Sequence, residues 1–189
     1  MVKLNKIYTR TGDQGQTGLV DGSRIAKHAP RMVAIGDVDE LNSLIGVAVL
    51  HIRQDEYKAM LDRVQNELFD VGADLATPGE DFEPGEWTLR IVPSQVARLE
   101  AEIDAMNATM PPLSSFVLPG GEPGAAHVHV ARATARRAER SAVSAADSAS
   151  INPLVLIYLN RLSDHLFVMA RAINAQGSGD VLWQPGATR

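Results

Sequence analysis

The 189-residue chain has no cysteine. This excludes disulfides, thiolate metal sites, zinc fingers and cysteine nucleophiles. Any metal has to be a hard ion held by oxygens, with His as the nitrogen ligand available. Aromatics are sparse at 5%. No stretch approaches the roughly 20 apolar residues that cross a bilayer. Met1 to Tyr8 lacks the apolar run of a signal peptide. A cytoplasmic protein with no membrane partner is therefore expected. Positive charge is in deficit overall, with a net charge of −5 and a pI near 5.5. That argues against bulk nucleic-acid binding, which favours a basic footprint. Several motifs are also missing. There is no GxxxxGK[ST] loop, no strand-turn-helix setting for a dinucleotide fingerprint, and no G-x-S-x-G elbow. No Glu-x-x-His occurs either, so a di-iron bundle lacks its ligands.

What is present suits one folded domain over residues 1–189. The chain is 45% hydrophobic and 22% charged, and it is long enough to bury a full core. Arg outnumbers Lys by 14 to 4. Arg is the planar, permanently charged fork that suits phosphates and buried ion pairs.

Residues 1–30 differ from the rest. Gly12, Gly15, Gly18 and Gly22 are interleaved with Thr, Asp and Gln, and only Lys3 to Thr9 reads as extended. From 31 to 177 the period is helical. Met32, Ile35, Val38, Leu41, Ile45, Ala48 and Ile52 fall at steps of three and four, as do Leu61, Val64, Leu68, Val71 and Leu75. Gly79 to Trp87 is a polar break. Pro93-Ser94 opens a third helix, with Val96, Leu99, Ile103 and Met106 on one face. A loop from Leu113 to Gly124 precedes a fourth, Ala-rich helix over about Ala125 to Ala146. Asn152-Pro153 starts a fifth, carrying Val155, Leu159, Leu162, Leu166, Met169 and Ile173. Residues 178–189 form a tail. The expectation is an all-α, five-helix up-and-down bundle with short connections, ferritin-like in outline, behind a Gly-rich N-terminal loop. The Ala-rich fourth helix invites close packing by a neighbour, in this subunit or another.

Four places could carry chemistry. The loop Thr9 to Gly18 has the glycines, hydroxyls and Arg10 of a phosphate cradle, or is a surface turn cluster. Arg132, Arg136 and Arg140 share a helix stripe, with Arg137 and Glu139 beside them. That stripe is a solvated face, a polyanion site, or part of an ion-pair network with Asp37, Asp39 and Glu40. Phe116 to Gly121 precedes a helix N-terminus; on sequence alone Phe116 reads first as a core anchor. Asn160 sits in mid-helix at a propensity cost. His127 and His129 point to different helix faces and make a poor chelate.

Together these segments resemble the PduO-type ATP:cob(I)alamin adenosyltransferase family. The matching runs are TRTGDQGQTGL at 9–19, IGDVDELNSLIG at 35–46, FVLPGG at 116–121, ARATARRAER at 131–140 and NPLVLIYLNRLSDHLF at 152–167. Five segments in order span almost the whole chain. The resemblance implies a homotrimeric helical bundle with active sites between subunits. It implies transfer of the 5′-deoxyadenosyl group of ATP to cob(I)alamin, with triphosphate leaving and Mg²⁺ accompanying the nucleotide. The alternative is a module that binds ATP and cobalamin and hands adenosylcobalamin to an acceptor enzyme. A reductase and an acceptor enzyme are the partners expected.

By the same resemblance, residues 1–30 form a nucleotide-binding loop in which Thr9, Arg10, Thr11, Gly12, Thr17, Gly18 and Lys27 bind ATP. Arg136, Arg137, Glu139, Arg140 and Asn160 complete that site, with Arg136, Asn160 and Phe116 in catalytic roles. Phe116, Asp39 and Arg132 attend the cobalamin. Phe116 lies below the corrin, and Asp39 pairs with Arg132 across a subunit boundary. No dedicated protein metal ligand is implied, since the phosphates carry the Mg²⁺.

Overall fold

The structure is a computed structural model that describes residues 7–86 and 88–189. Five helices carry it: α1 (Pro30–Val49), α2 (Asp55–Leu75), α3 (Pro93–Asn107), α4 (Pro123–Ala146) and α5 (Pro153–Ala175). Four of them begin with proline in the first turn, where its missing N–H costs nothing and its fixed φ suits the helix. Asn152 adds a side-chain cap, accepting from the Leu154 N–H at 3.0 Å.

The seams read from sequence are the core. Leu41, Ile45, Leu61, Val64, Leu99, Leu159, Leu162 and Leu166 are all fully buried. α4 packs between α1 and α5; α2 packs on α1 and also touches α5, and α3 packs on α5. The small residues of α4 make this possible. Ala125, Ala131, Ala135, Ala138, Ala142 and Ala145 have no exposed surface. At this position larger side chains would push both neighbours outward.

Two connections differ from the short ones expected. Residues 76–92 and 108–122 are long crossings, and α3 packs on α5 rather than between α2 and α4. Bundles accommodate such crossings when polar groups pin them. Here buried Asp74 accepts from Arg90 Nη1 at 2.8 Å, from the Ile91 N–H at 2.8 Å and from Asn152 Nδ2 at 2.7 Å. That one carboxylate ties α2, the first crossing and the start of α5. Buried Arg31 donates to the Leu75 carbonyl and, at 2.9 Å, to the Ser150 carbonyl. A second polar seam joins α2, α3 and α5. Glu67 receives Arg98 and the Tyr158 hydroxyl, and Glu102 receives Arg63 and His165 Nε2.

The N-terminal segment holds a feature that sequence reading missed. β1 (Gln16–Gly18) and β2 (Arg24–Ala26) form a small antiparallel hairpin, with Thr17 opposite Ile25. The expected extended stretch lies mostly outside the described residues, and residues 7–9 are irregular. α4 begins at Pro123, two residues before the expected Ala125. No helix among the described residues is long and apolar enough to cross a membrane.

Candidate active site

The site is organised by one stripe of α4. His129, Arg132, Arg136, Arg140 and Val143 fall at helical spacing on one side of it. The N-terminal part of the stripe lines one cavity and the C-terminal part lines another.

The first cavity, about 470 Å³, is lined by Leu113, Ser115, Phe116, Val117, His129, Arg132 and Phe167. Phe116 is 77% exposed, which corrects the first sequence reading of it as a core anchor. Its backbone is held firmly by the C-terminal tail. Leu118 N–H donates to the Val181 carbonyl and Trp183 N–H to the Phe116 carbonyl, each at 2.8 Å, and Ser115 Oγ donates to the Trp183 carbonyl at 2.7 Å. The Trp183 ring lies 5.9 Å from the Phe116 ring, tilted by 55°. The loop is fixed from below by Asn174, which accepts from the Glu122 N–H at 2.9 Å and donates to the Gly120 carbonyl at 3.1 Å. Gly121 allows this approach: its φ is +96°, and a Cβ there would lie 2.2 Å from Asn174 Oδ1.

The second cavity, about 430 Å³, is lined by Arg136, Glu139, Arg140, Val143, Ser144 and Asp147. Asn160 Nδ2, from α5, donates to Glu139 Oε1 at 2.9 Å. Arg140 Nη1 donates to the Arg136 carbonyl at 3.0 Å. Among the described residues Arg136 and Arg140 have no carboxylate partner, so two guanidinium groups stand ready for an anion. Arg137 is placed differently. Its Nε donates to Asp37 Oδ1 at 3.1 Å, and a second nitrogen to Glu40. The hydrogen bond it donates to Glu40 raises the already high pKa of Arg137. The acids of α1 thus serve Arg137, not the stripe. The expected ATP-binding role for Arg137 falls on a side chain that clips α4 to α1 in this chain.

The Gly-rich loop is a compact turn system. Thr9 and Thr11 hydroxyls are 2.9 Å apart. Arg10 takes φ +64° and lies over the Tyr8 ring. Lys27 is close against Gly12, where a Cβ would meet Nζ at 2.9 Å, and the Lys27 N–H donates to the Gly15 carbonyl at 2.9 Å. Thr17 and Gly18 lie on β1. The hairpin docks beside the end of α2 through Val20 N–H to the Ala76 carbonyl at 3.1 Å. Among the described residues no hydrogen bond joins this loop to Arg136, Glu139, Arg140 or Asn160.

The sequence-predicted residues therefore fall into three groups within one chain. Phe116 and Arg132 share a cavity, and Arg136, Glu139, Arg140 and Asn160 share the next one along α4. Thr9 to Lys27 form a separate cradle. Asp39 is exposed on the α1–α2 face, beside Phe69, away from Arg132. Sequence reading weighed His129 only as half of a poor chelate, and it missed Phe167 and Trp183. Their signal was weak: three residues on different elements, joined only by a long crossing and the tail.

A cysteine-free helical bundle that sets an Arg-lined cavity beside an apolar one on a single helix is built to bring a polyanion against a large, mostly apolar ligand. A family model described as cobalamin adenosyltransferase matches residues 7–173, and the chain belongs to that family. It is 51% identical to a corrinoid adenosyltransferase of Mycobacterium tuberculosis, over all of this chain and 97% of that protein. It is 48% identical to a cobalamin adenosyltransferase of Cupriavidus metallidurans, over 96% of each. Among solved structures, a PduO-type ATP:corrinoid adenosyltransferase of Lactobacillus reuteri superposes with a TM-score of 0.87 at 38% identity, covering 95% of this chain and 99% of that one. That structure is a phenylalanine-to-alanine variant complexed with cobalamin and ATP.

Proposed function

We propose that this chain transfers the 5′-deoxyadenosyl group of ATP to cob(I)alamin, using the two neighbouring cavities of α4. The observation that carries the reading is their adjacency. Arg132, in the apolar cavity, and Arg136, in the cationic one, are one helical turn apart, about 6 Å along the axis. A corrin in the first cavity and a triphosphate in the second would meet at the ribose.

The chemistry makes modest demands on the protein. The cobalt of cob(I)alamin supplies the electron pair of the new Co–C5′ bond, the C5′–O bond of ATP breaks, and triphosphate departs with the pair of the broken bond. The chain has to align the reactants and neutralise the leaving group. Arg136 and Arg140 offer planar donors to the phosphoryl oxygens. Glu139 and Asn160, bonded to each other, position the nucleotide. Thr9, Arg10, Thr11, Gly12, Thr17, Gly18 and Lys27 cradle it from the N-terminal loop. Phe116 keeps water and the lower ligand from the cobalt, which eases its reduction.

Mg²⁺ fits this site only as a companion of the nucleotide. Among the described residues no three His, Asp or Glu gather as a metal cage. The Glu139 and Asp147 carboxylates and the Asn160 amide oxygen are protein donors on hand, which suits an ion held mainly by phosphate. When bound, it would offset phosphate charge.

The separation of the loop, the α4 stripe and Asp39 supports a site assembled from more than one copy. Phe69 is 73% exposed on the α1–α2 face, beside a cavity of about 430 Å³ lined also by Met32, Ile35, Leu68 and Asp39. That face is separate from the α4 stripe, so head-to-tail contact would bring Asp39 of one copy to Arg132 of the next and close a ring, here a homotrimer. The charge swap Asp39→Arg with Arg132→Asp is expected to recover assembly and corrinoid handling that either single change loses. No recovery would refute the contact.

The direct test is an anaerobic assay with ATP and chemically reduced cobalamin, following the corrin spectrum. A shift to the alkylcobalamin spectrum with triphosphate release is expected. No shift, or release of pyrophosphate instead, overturns the reading. Sustained turnover without an acceptor protein separates the enzyme from a delivery module.

A further inference from the structure

His129 lines the apolar cavity, and the proposed reaction does not use its chemistry. It is 2% exposed, and neither Nδ1 nor Nε2 has a partner among the described residues. Leaving a buried polar atom unpaired costs about 1–3 kcal/mol, so such groups are rare and call for a reason. Its ring lies 6.4 Å from that of Phe167, tilted by 58°, and so is packed on an apolar surface. It lines the cavity with Phe116 and Arg132, one turn further from the nucleotide side. A simple core histidine would have found a carbonyl, as His127 finds Pro123 at 2.7 Å from the same helix.

From this geometry we infer that His129 is a specificity-determining residue for the corrinoid, hydrogen-bonding a carboxamide on the rim of the macrocycle. The inference rests on the corrinoid reading of the cavity. A neutral imidazole offers one donor and one acceptor on diverging nitrogens. A primary carboxamide presents both an acceptor and a donor, so it can meet whichever ring nitrogen faces it. The corrin periphery carries several of these groups. A corrin side-chain carboxylate, with acceptors only, meets the donor nitrogen alone. The protonation state agrees. Burial and then the Arg132 charge lower the His129 pKa, against a smaller upward pull from Asp180, so the ring is neutral at pH 7. Asp180 is itself paired with Arg171 at 3.0 Å. A neutral ring beside Arg132 also leaves that guanidinium free to pair across a subunit boundary.

The test compares wild type, His129→Phe and His129→Gln, with thermal melting as a check on folding. Phe keeps the packing against Phe167 and removes both polar atoms; Gln restores a donor and an acceptor. The ligands are cob(II)alamin and its monocarboxylic acid derivatives, each with one side-chain amide hydrolysed. Wild type is expected to bind cobalamin about tenfold more tightly than at least one of these acids. His129→Phe should weaken cobalamin binding about tenfold, lose that discrimination, and leave KM for ATP within twofold. His129→Gln should recover most of the affinity. Unchanged binding in His129→Phe, or equal losses for ATP and cobalamin, overturns the proposal; so does discrimination that persists in the variant. Cob(II)inamide, which brings no base of its own, supplies one more check. Nitrogen splitting in its electron paramagnetic resonance spectrum that vanishes in His129→Phe would mean that His129 ligates cobalt instead. Wild type that adenosylates cobalamin without discriminating among the acids refutes this inference alone. Wild type that neither binds nor adenosylates cobalamin refutes the functional reading as well.

Discussion

Arg136→Ala isolates the leaving-group term of the proposed reaction. The side chain is exposed, pairs with no carboxylate among the described residues, and gives only its backbone carbonyl, to Arg140. Its loss therefore strands no buried partner, and folding stability should change by no more than about 0.5 kcal/mol. Its proposed work lies at the triphosphate. A hydrogen bond to a charged group is worth about 1.5–3 kcal/mol. If that interaction strengthens as charge builds on the leaving oxygen, kcat/KM falls about tenfold to somewhat over a hundredfold. The fall should sit mainly in kcat, because ground-state ATP keeps Arg140, Asn160 and the N-terminal cradle. Arg136→Lys should land between, since it keeps the charge but loses the planar fork. The assay is anaerobic steady-state adenosylation, with melting curves run in parallel. Kinetics within twofold of wild type, at unchanged stability, would refute the placement of the triphosphate. A loss carried wholly by KM for ATP would show uniform binding instead of leaving-group stabilisation.

Three further outcomes follow from the same contacts. Phe116→Ala should leave stability and ATP affinity nearly unchanged, because the ring is exposed, while slowing adenosylation; an equal loss in ATP binding would reduce Phe116 to packing. Asp74→Ala removes a carboxylate that serves Arg90, Ile91 and Asn152 in the interior, and should cost about 3–5 kcal/mol in urea unfolding, whereas a cost under about 1 kcal/mol would mean the crossing is held by other contacts. Stability should fall on acidification in two stages. His129 has a lowered pKa in the folded state, so the unfolded chain takes up the extra proton and stability drops as pH falls below about 6.5. For Glu102 burial alone would raise the pKa, but the hydrogen bond and charge of His165, with Arg63, outweigh it and lower it. That contribution is present above the ordinary carboxylate range and is lost as pH falls through the folded-state value. His129→Gln should remove the first stage and keep the second; a profile unchanged by that variant would refute the assignment.

The helices were legible because their signals are local. Steps of three and four mark the buried faces, and prolines at 30, 93 and 153 mark starts. The hairpin of residues 16–26 was hidden because each strand has three residues, too few for alternation to show, and much of its definition comes from turns. Asp74 and Glu67 were hidden for another reason. Each looks like an ordinary helical acid, and only packing reveals the arginines, Asn152 and Tyr158 around them. The site divides along the same line. Arg136, Glu139 and Arg140 share one helix, where periodicity relates them; Asn160 joined them through the family resemblance, and its Nδ2 reaches Glu139. Arg137 lies one residue off the stripe, and that offset turns its side chain by about 100°, toward Asp37 and Glu40.

That rotation also explains why the site needs α4 to be so poor in large side chains. A helix packed between α1 and α5 has two flanks committed to burial and one stripe left over. Here the flanks are filled by alanines, so the stripe can carry long polar groups without widening the bundle. Placing His129, Arg132, Arg136 and Arg140 on it fixes the order of the ligands along one rigid axis. The apolar cavity takes a further wall from the 108–122 crossing, which the tail at Val181 to Trp183 holds in place. The anion cavity has no such cover among the described residues of one chain. In the proposed assembly, the wall over the charged half comes from another copy. The N-terminal cradle, apart from that cavity within its own chain, is the segment with the chemistry to provide it.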